Sequence, residues 1–249
     1  MCATCGCEGV EHEQGHGHGH GHGHGHVDGD GKLVRIEQAV LARNDSLAAE
    51  NRRTFDAGGL LALNLVSSPG AGKTTLLERT IREASLPIVV IEGDQATDRD
   101  AERIRAAGAR AVQVNTGTGC HLDAGMVARA LPELAPASGC VVMIENVGNL
   151  VCPALFDLGE LAKVVIVSVT EGDDKPLKYP HMFRASRLML INKTDLSPHV
   201  DFDADRCVAN ARRVRPDIEA IQLSAKTGEG LEVWYRWLAA RRFEVTARP

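Results

Sequence analysis

At 249 residues, 44% of them hydrophobic, the chain is long enough for one large domain or two small ones and can bury a sizeable core. Its 28 basic and 33 acidic residues leave a net charge of −5 with no basic block, which argues against a nucleic-acid partner or an anionic membrane surface. No apolar run approaches the ~20 residues of a membrane span, and the N-terminus lacks the charged-then-apolar layout of a secretion signal, so no membrane partner and a cytoplasmic location are expected.

Residues 1–31 carry no periodic apolar pattern and are expected to be disordered without a ligand. They open with MCATCGC, which crowds Cys2, Cys5 and Cys7 together, and continue through GHGHGHGHGHGH with His16, His18, His20, His22, His24 and His26, preceded by His12. In a reducing compartment the chain's seven cysteines point to thiolate ligands rather than disulfides. The C-x₂-C-x-C spacing is one thiolate short of a four-cysteine zinc site. A square-planar d⁸ ion such as Ni²⁺ would take the three sulfurs and the Met1 amine. The alternating imidazoles, mostly neutral at pH 7, add donors for late first-row metals. A purification tag explains this tail less well, because tags rarely alternate with glycine or follow a cysteine cluster; a passive linker does not explain the histidines.

From Lys32 to about Asp56 apolar residues recur at helical spacing (Leu33, Ile36, Val40, Leu47) without a proline, which predicts a helix over 32–58 leading into a main domain at 59–249. There, apolar strands alternate with amphipathic helices: LLALNLV and a helix over 73–84, PIVVIE and a helix over 98–107, then ARAVQV, CVVMIE, VVIVSV, RLMLIN, and EAIQLS before a last helix. The rhythm predicts a doubly wound α/β domain with a mostly parallel sheet, since parallel strands need crossover helices. Ligands of such sheets sit at the carboxyl ends of the strands.

The first strand runs into SSPGAGKTT, close to the phosphate-loop pattern G-x-x-x-x-G-K-S/T but with Ser67 for the first glycine. Gly70, Ala71 and Gly72 let backbone N–H groups curl round phosphates, Lys73 reaches the β and γ oxygens, and Thr74, followed by Thr75, offers a hydroxyl to Mg²⁺ at a helix N-terminus. NKTD follows a later strand. Asp195 would accept the N1–H and 2-amino hydrogens of guanine, Asn192 would hold the purine's other edge, and the Lys193 stem would cover its face. A backbone N–H of Ser224, Ala225 or Lys226 would meet the guanine oxygen. Adenine lacks both donors for Asp195, so the nucleotide read from these residues is GTP. Asp94 is placed to order the Mg²⁺ shell, with Asp98 and Asp100 as rivals. Glu145 ends another strand, and Gly148 stands where a γ-phosphate-sensing loop needs a bare backbone amide. Asn149 replaces the water-orienting glutamine of many GTPases, which predicts hydrolysis well below about 1 s⁻¹.

The loop after ARAVQV presents Cys120 and His121, and Cys152 lies seven residues beyond Glu145, again at strand ends. Two thiolates and an imidazole suit Zn²⁺ or Ni²⁺ and leave a position open, as a releasing site needs. Cys140 and Cys207 read as packing residues.

Taken in order, MCATCGC, the histidine insert, SSPGAGKTT, GDQATDRDA, GTGCHLDA, ENVGNLVCP, EGDDKPLKYP and NKTD resemble the HypB family, SIMIBI-class GTPases that help insert nickel into nickel-iron hydrogenases. The resemblance covers nearly the whole chain. It implies a metal-binding G domain that dimerises with nucleotide or metal, works beside the zinc-binding nickel chaperone HypA, and passes Ni²⁺ toward the hydrogenase large subunit. It further implies that Cys120, His121 and Cys152 form a switch-linked metal site and that Cys2, Cys5 and Cys7 form a separate tight nickel site. Lys175 is within reach of nucleotide or a partner subunit on this reading. Three rivals stand beside it: a urease-type nickel GTPase, a nickel store whose function is the tail, and a dimeric ATPase of the deviant-loop type. The last carries a lysine where Ser68 stands and has no need of NKTD.

Overall fold

The computed structural model describes residues 28–94, 99–117 and 119–247; the tail cysteines and histidines, and Asp98, lie outside them. Seven parallel strands form one sheet in the order β3-β2-β4-β1-β5-β6-β7. They are β1 (Leu61–Ser67), β2 (Ile88–Asp94), β3 (Arg110–Asn115), β4 (Val141–Glu145), β5 (Ala162–Ser168), β6 (Ser186–Asn192) and β7 (Glu219–Gln222). This is the doubly wound parallel architecture expected from the strand-helix rhythm.

Side chains alternate across the central strand and so build both layers of core. Leu61, Leu63 and Leu65 pack on one face with Leu76 and Leu77 of α2 (Lys73–Glu83) and Trp234 and Leu238 of α8 (Leu231–Thr246). On the other face α4 (Ala124–Leu134) covers β2 and β4 through Val127, Leu131 and Leu134. Met182 and Phe183 of α6 (Pro180–Ala185), with Cys207 and Ala211 of α7 (Ala204–Val214), cover β5 and β6 on that same side. Two further short helices are α3 (Arg99–Ala106) and α5 (Lys175–Lys178).

The leading helix α1 (Asp28–Ala57) starts four residues before the predicted Lys32. Its docking also departs from the apolar spacing that announced it: Ile36 and Val40 are about half exposed, whereas Asn44, Ala48, Asn51 and Phe55 are buried. The amides decide this. Asn44 accepts the N–H of Ala124 and donates to the Asp157 carbonyl, and Asn51 donates to the carbonyls of Ala124 and Leu158. Gly159 lets the helix settle there: at φ +90 it lies under the helix backbone, where a Cβ would stand 2.6 Å from the Ala48 carbonyl oxygen.

Candidate nucleotide and metal sites

The carboxyl ends of β1, β4, β6 and β7 converge on one edge of the sheet, and the phosphate loop leaves β1 there. Gly72 is the residue its geometry depends on. It sits at φ +97, and a Cβ would stand 2.5 Å from Asn192 Nδ2. Lys73 Nζ donates to Ser67 Oγ at 2.9 Å, and that hydroxyl donates in turn to the Ser68 carbonyl. The serine in place of the usual first glycine thus holds the lysine along the loop. Burial pulls the Lys73 ammonium below its ordinary range, against the pull of Glu145 and other carboxylates.

Thr74 Oγ1 donates to Glu145 Oε1 at 2.8 Å, which joins the start of α2 to the end of β4. Burial pushes the Glu145 carboxyl up to about 7, with Lys73 and the Thr74 hydrogen bond acting the other way. Its second oxygen, Oε2, is buried with no hydrogen-bond partner among the described residues. A hydroxyl beside a carboxylate with an unused oxygen fits a hard divalent cation such as Mg²⁺. Gly148 comes down on the phosphate loop so closely that a Cβ would lie 3.0 Å from the Pro69 backbone. A cleft of about 680 Å³ opens here, lined by Gly70, Lys73, Thr75, Asp100, Arg103 and Gly148 among others. Asp100 and Arg103 face it from α3, whereas Asp94 stands half-buried at the end of β2.

A second hollow of about 380 Å³ adjoins the first, between Thr75, Asn192, Asp195, Ala225 and Lys226. Ser224 Oγ donates to Asp195 Oδ1 at 2.6 Å, which fixes the carboxylate's orientation. Lys193, at φ 64, sends its ammonium to the Gly70 carbonyl and leaves its stem along the hollow. Asn192, which also lines the hollow, ties loops together as well. Its Nδ2 donates to the Ala71 carbonyl, and its Oδ1 accepts from the N–H groups of Lys193 and Ala225. The amide clamps the phosphate loop to the β7 loop with one of its two Nδ2 hydrogens and its oxygen, while still lining the hollow, and the Ala225 N–H is engaged with it.

The three inner metal-site candidates come together. The Sγ atoms of Cys120 and Cys152 lie 2.9 Å apart, Cys120 Sγ is 3.7 Å from His121 Nδ1, and all three donor atoms fall within 4.8 Å of one another. Burial depresses the His121 pKa, which favours the neutral ring that binds metal. Soft sulfurs and an imidazole suit Zn²⁺ or Ni²⁺. By contrast Cys140 and Cys207 are buried among apolar side chains, and burial raises both thiols, that of Cys207 to about 12.

One segment serves both sites. It begins at Glu145, passes Gly148 over the phosphate loop, and ends in a short 3₁₀ turn whose first residue is Cys152. Asn149 does not stand free as a water-orienting group: its Nδ2 donates to the Cys120 carbonyl at 3.4 Å and its Oδ1 accepts from Val151 N–H. Lys175, the first residue of α5, donates to Ser68 Oγ at 2.9 Å and pairs with Glu171. Sequence reasoning named Ser67 only as a departure from the glycine pattern and missed its bond to Lys73, which depends on how the loop curls; it missed Ser224 as an aid to Asp195, and Arg103, because these depend on which loop and helix ends become neighbours.

A phosphate loop on β1, an aspartate-bearing hollow beside it and a carboxylate at the end of β4 are the construction of a P-loop nucleotide-binding domain. Residues 61–222 match the family model described as CobW/HypB/UreG, nucleotide-binding domain. The chain belongs to this family and, within it, to the HypB proteins. It is 62% identical over 213 residues to the hydrogenase maturation factor HypB of Azotobacter vinelandii, spanning 85% of this chain and 70% of that protein. The structure is similar to that of HypB from Helicobacter pylori in complex with nickel, with a TM-score of 0.77 at 38% identity, covering 81% of this chain and 96% of that one. HypB from Archaeoglobus fulgidus superposes with a TM-score of 0.75 at 40% identity, covering 81% and 99%.

Proposed function

We propose that the protein is a GTP-hydrolysing nickel metallochaperone of hydrogenase maturation, in which the nucleotide state gates the Cys120, His121 and Cys152 site. The observation that carries this reading is the continuous segment from Glu145 to Cys152, tied at one end to Thr74 of the phosphate loop and at the other to the Cys120 loop. Nickel in the Helicobacter pylori relative supports the choice of cargo. GTP is held by Gly70, Ala71, Gly72, Lys73, Thr74 and Thr75 at its phosphates, with its base against Asp195, Lys193 and the Ser224–Lys226 turn. Thr74 and Glu145, with Asp94 or Asp100, would hold Mg²⁺, which would supply charge neutralisation at the phosphates.

GTP draws the Gly148 backbone onto its γ-phosphate and orders the segment, as switch loops do generally. Loss of the γ-phosphate releases Gly148, the segment relaxes, and Cys152 leaves its position beside Cys120. With Asn149 engaged by the metal loop, intrinsic hydrolysis is slow; a steady-state turnover near 1 s⁻¹ or above for the isolated protein contradicts this. Cys2, Cys5, Cys7 and the tail histidines collect Ni²⁺ upstream, Zn²⁺ competes for the inner site, and a HypA-type chaperone, the hydrogenase large subunit and a second copy of the chain are the partners.

The test uses the full-length chain with Cys2, Cys5 and Cys7 changed to serine and the tail histidines to asparagine, so that only the inner site takes metal. In that background Cys152→Ala retains the parent's GDP affinity, but Ni²⁺ no longer alters the ratio of GDP to GTP-analogue affinity. Unchanged coupling removes Cys152 from the mechanism.

A further inference from the structure

The two loops that carry the metal ligands come from different crossovers, and Cys120 and Cys152 are 32 residues apart in the chain. What holds them in register is a chain of buried polar side chains running beneath them through three neighbouring strands. Asn146, one residue past β4, accepts the Leu122 N–H at 3.1 Å, immediately after His121, and also its neighbour Val147 N–H. Its Nδ2 donates to Asn64 Oδ1 in β1 at 3.2 Å, and Asn64 Nδ2 donates to Glu160 Oε1 at 3.2 Å. Glu160 pairs with Lys163 of β5 at 2.7 Å and accepts the Leu158 N–H through its other oxygen. Lys163 Nζ then donates to the Phe156 carbonyl at 3.0 Å. The ring of Phe156 lies against the imidazole of His121, centroids 4.0 Å apart, so the path returns to the ligand from which it set out.

All four side chains are nearly sealed from solvent, Asn64 and Asn146 at 0% and 1% exposure and Glu160 and Lys163 at 7% and 8%. A buried ion pair is a poor source of stability, since apolar residues of the same volume commonly serve as well or better. A fully satisfied network does fix one geometry. We propose that Asn146, Asn64, Glu160 and Lys163 are positioning residues for the Cys120, His121 and Cys152 triad: Asn146 sets the Cys120–His121 loop, Lys163 sets the Phe156 side of the Cys152 loop, and Asn64 locks the two together from the strand that feeds the phosphate loop. The inference rests on the reading of the triad as a metal site, and not on nucleotide gating.

The experiment keeps the protein in one nucleotide state, saturating GDP, in the full-length background with the tail ligands replaced. Two variants are compared with that parent: Asn146→Ala, and Glu160→Leu with Lys163→Met, which exchanges the pair for apolar groups of similar size. Asn210→Ala, which removes a buried amide of α7 bonded to the Asp173 carbonyl, is the control for loss of a buried hydrogen bond elsewhere. Affinity for Ni²⁺ is measured together with the thiolate-to-nickel absorption at saturating metal, and GDP affinity confirms the fold. Both variants are expected to bind Ni²⁺ ~10-fold or more weakly, the range seen for partners behind metal ligands, and to give an altered absorption at saturation; Asn210→Ala matches the parent in both. Should Asn146→Ala fail to bind GDP, the double variant decides. Parent-like affinity and absorption in a variant that binds GDP overturn the positioning role and leave the metal site standing. A parent that binds Ni²⁺ no better than its Cys120→Ala, Cys152→Ala form overturns the metal site and the inference together.

Discussion

Glu145 is a carboxyl group held out of water beside a lysine, and its environment makes stability depend on pH in a definite direction. Its carboxyl titrates near 7 in the folded chain and near 4.5 when unfolded, because burial disfavours the charged form more than Lys73, Arg103 and Thr74 restore it; the Asp100 carboxylate adds to the upward shift. The folded state therefore holds this proton more tightly than the unfolded state. Its contribution to stability is complete below pH 4.5 and is lost as the pH rises through 7, about 3 kcal/mol in all. Urea unfolding of the nucleotide-free protein and of Glu145→Gln across pH 4.5–7 tests this: the stability of the parent falls relative to the variant by roughly that amount. Parallel profiles contradict it. At this scale the phosphate-loop turn and the place of Asp195 in the adjoining hollow were legible in the sequence, because such loops dictate residue types at short spacing. Asn64, Asn146, Glu160 and Lys163 were not, since their partners are set by strand order rather than by anything local. Asn192 was legible as a site residue, but its clamp between the phosphate loop and the β7 loop was not, since it depends on which loops become neighbours.

Among the elements, α1 is the one whose existence was readable and whose docking was not. The apolar positions Ile36 and Val40 that reveal its periodicity remain exposed, and the anchors are the amides of Asn44 and Asn51 on an otherwise sparse apolar face. Hydrophobic spacing is blind to such anchors, which become apparent once the start of α4 and the Asp157–Leu158 backbone are known to need partners. The helix grips both loops of the candidate metal site from behind: Ala124 follows the Cys120–His121 loop, and Asp157 and Leu158 follow the Cys152 loop. Arg52 pairs with Asp157 at 2.7 Å at the rim of the same contact. Asn51→Ala removes two buried hydrogen bonds, to the carbonyls of Ala124 and Leu158, and is expected to cost about 1–3 kcal/mol in denaturant unfolding; an unchanged midpoint would contradict that account of the docking. The strands were legible to within two residues at their ends, since each is a short apolar run followed by a loop rich in glycine and polar residues.

For the whole molecule the sheet order matters most. Bringing β4 beside β1 puts the Glu145 segment between the phosphate loop and the Cys120 loop, so the two candidate sites lie next to each other. Among the described residues no helix is long and apolar enough to cross a membrane. Coupling between two ligands is reciprocal: any factor by which a nucleotide changes metal affinity is the factor by which the metal changes nucleotide preference. The measurement that tests this most directly is the Ni²⁺ affinity of the full-length chain with its tail ligands replaced, taken with GDP and then with a non-hydrolysable GTP analogue. The account predicts a difference of ~10-fold or more, about 1.4 kcal/mol, with the tighter site in the analogue-bound state. Equal affinities in the two states would contradict it, because the Glu145–Cys152 segment would then report the nucleotide to nothing.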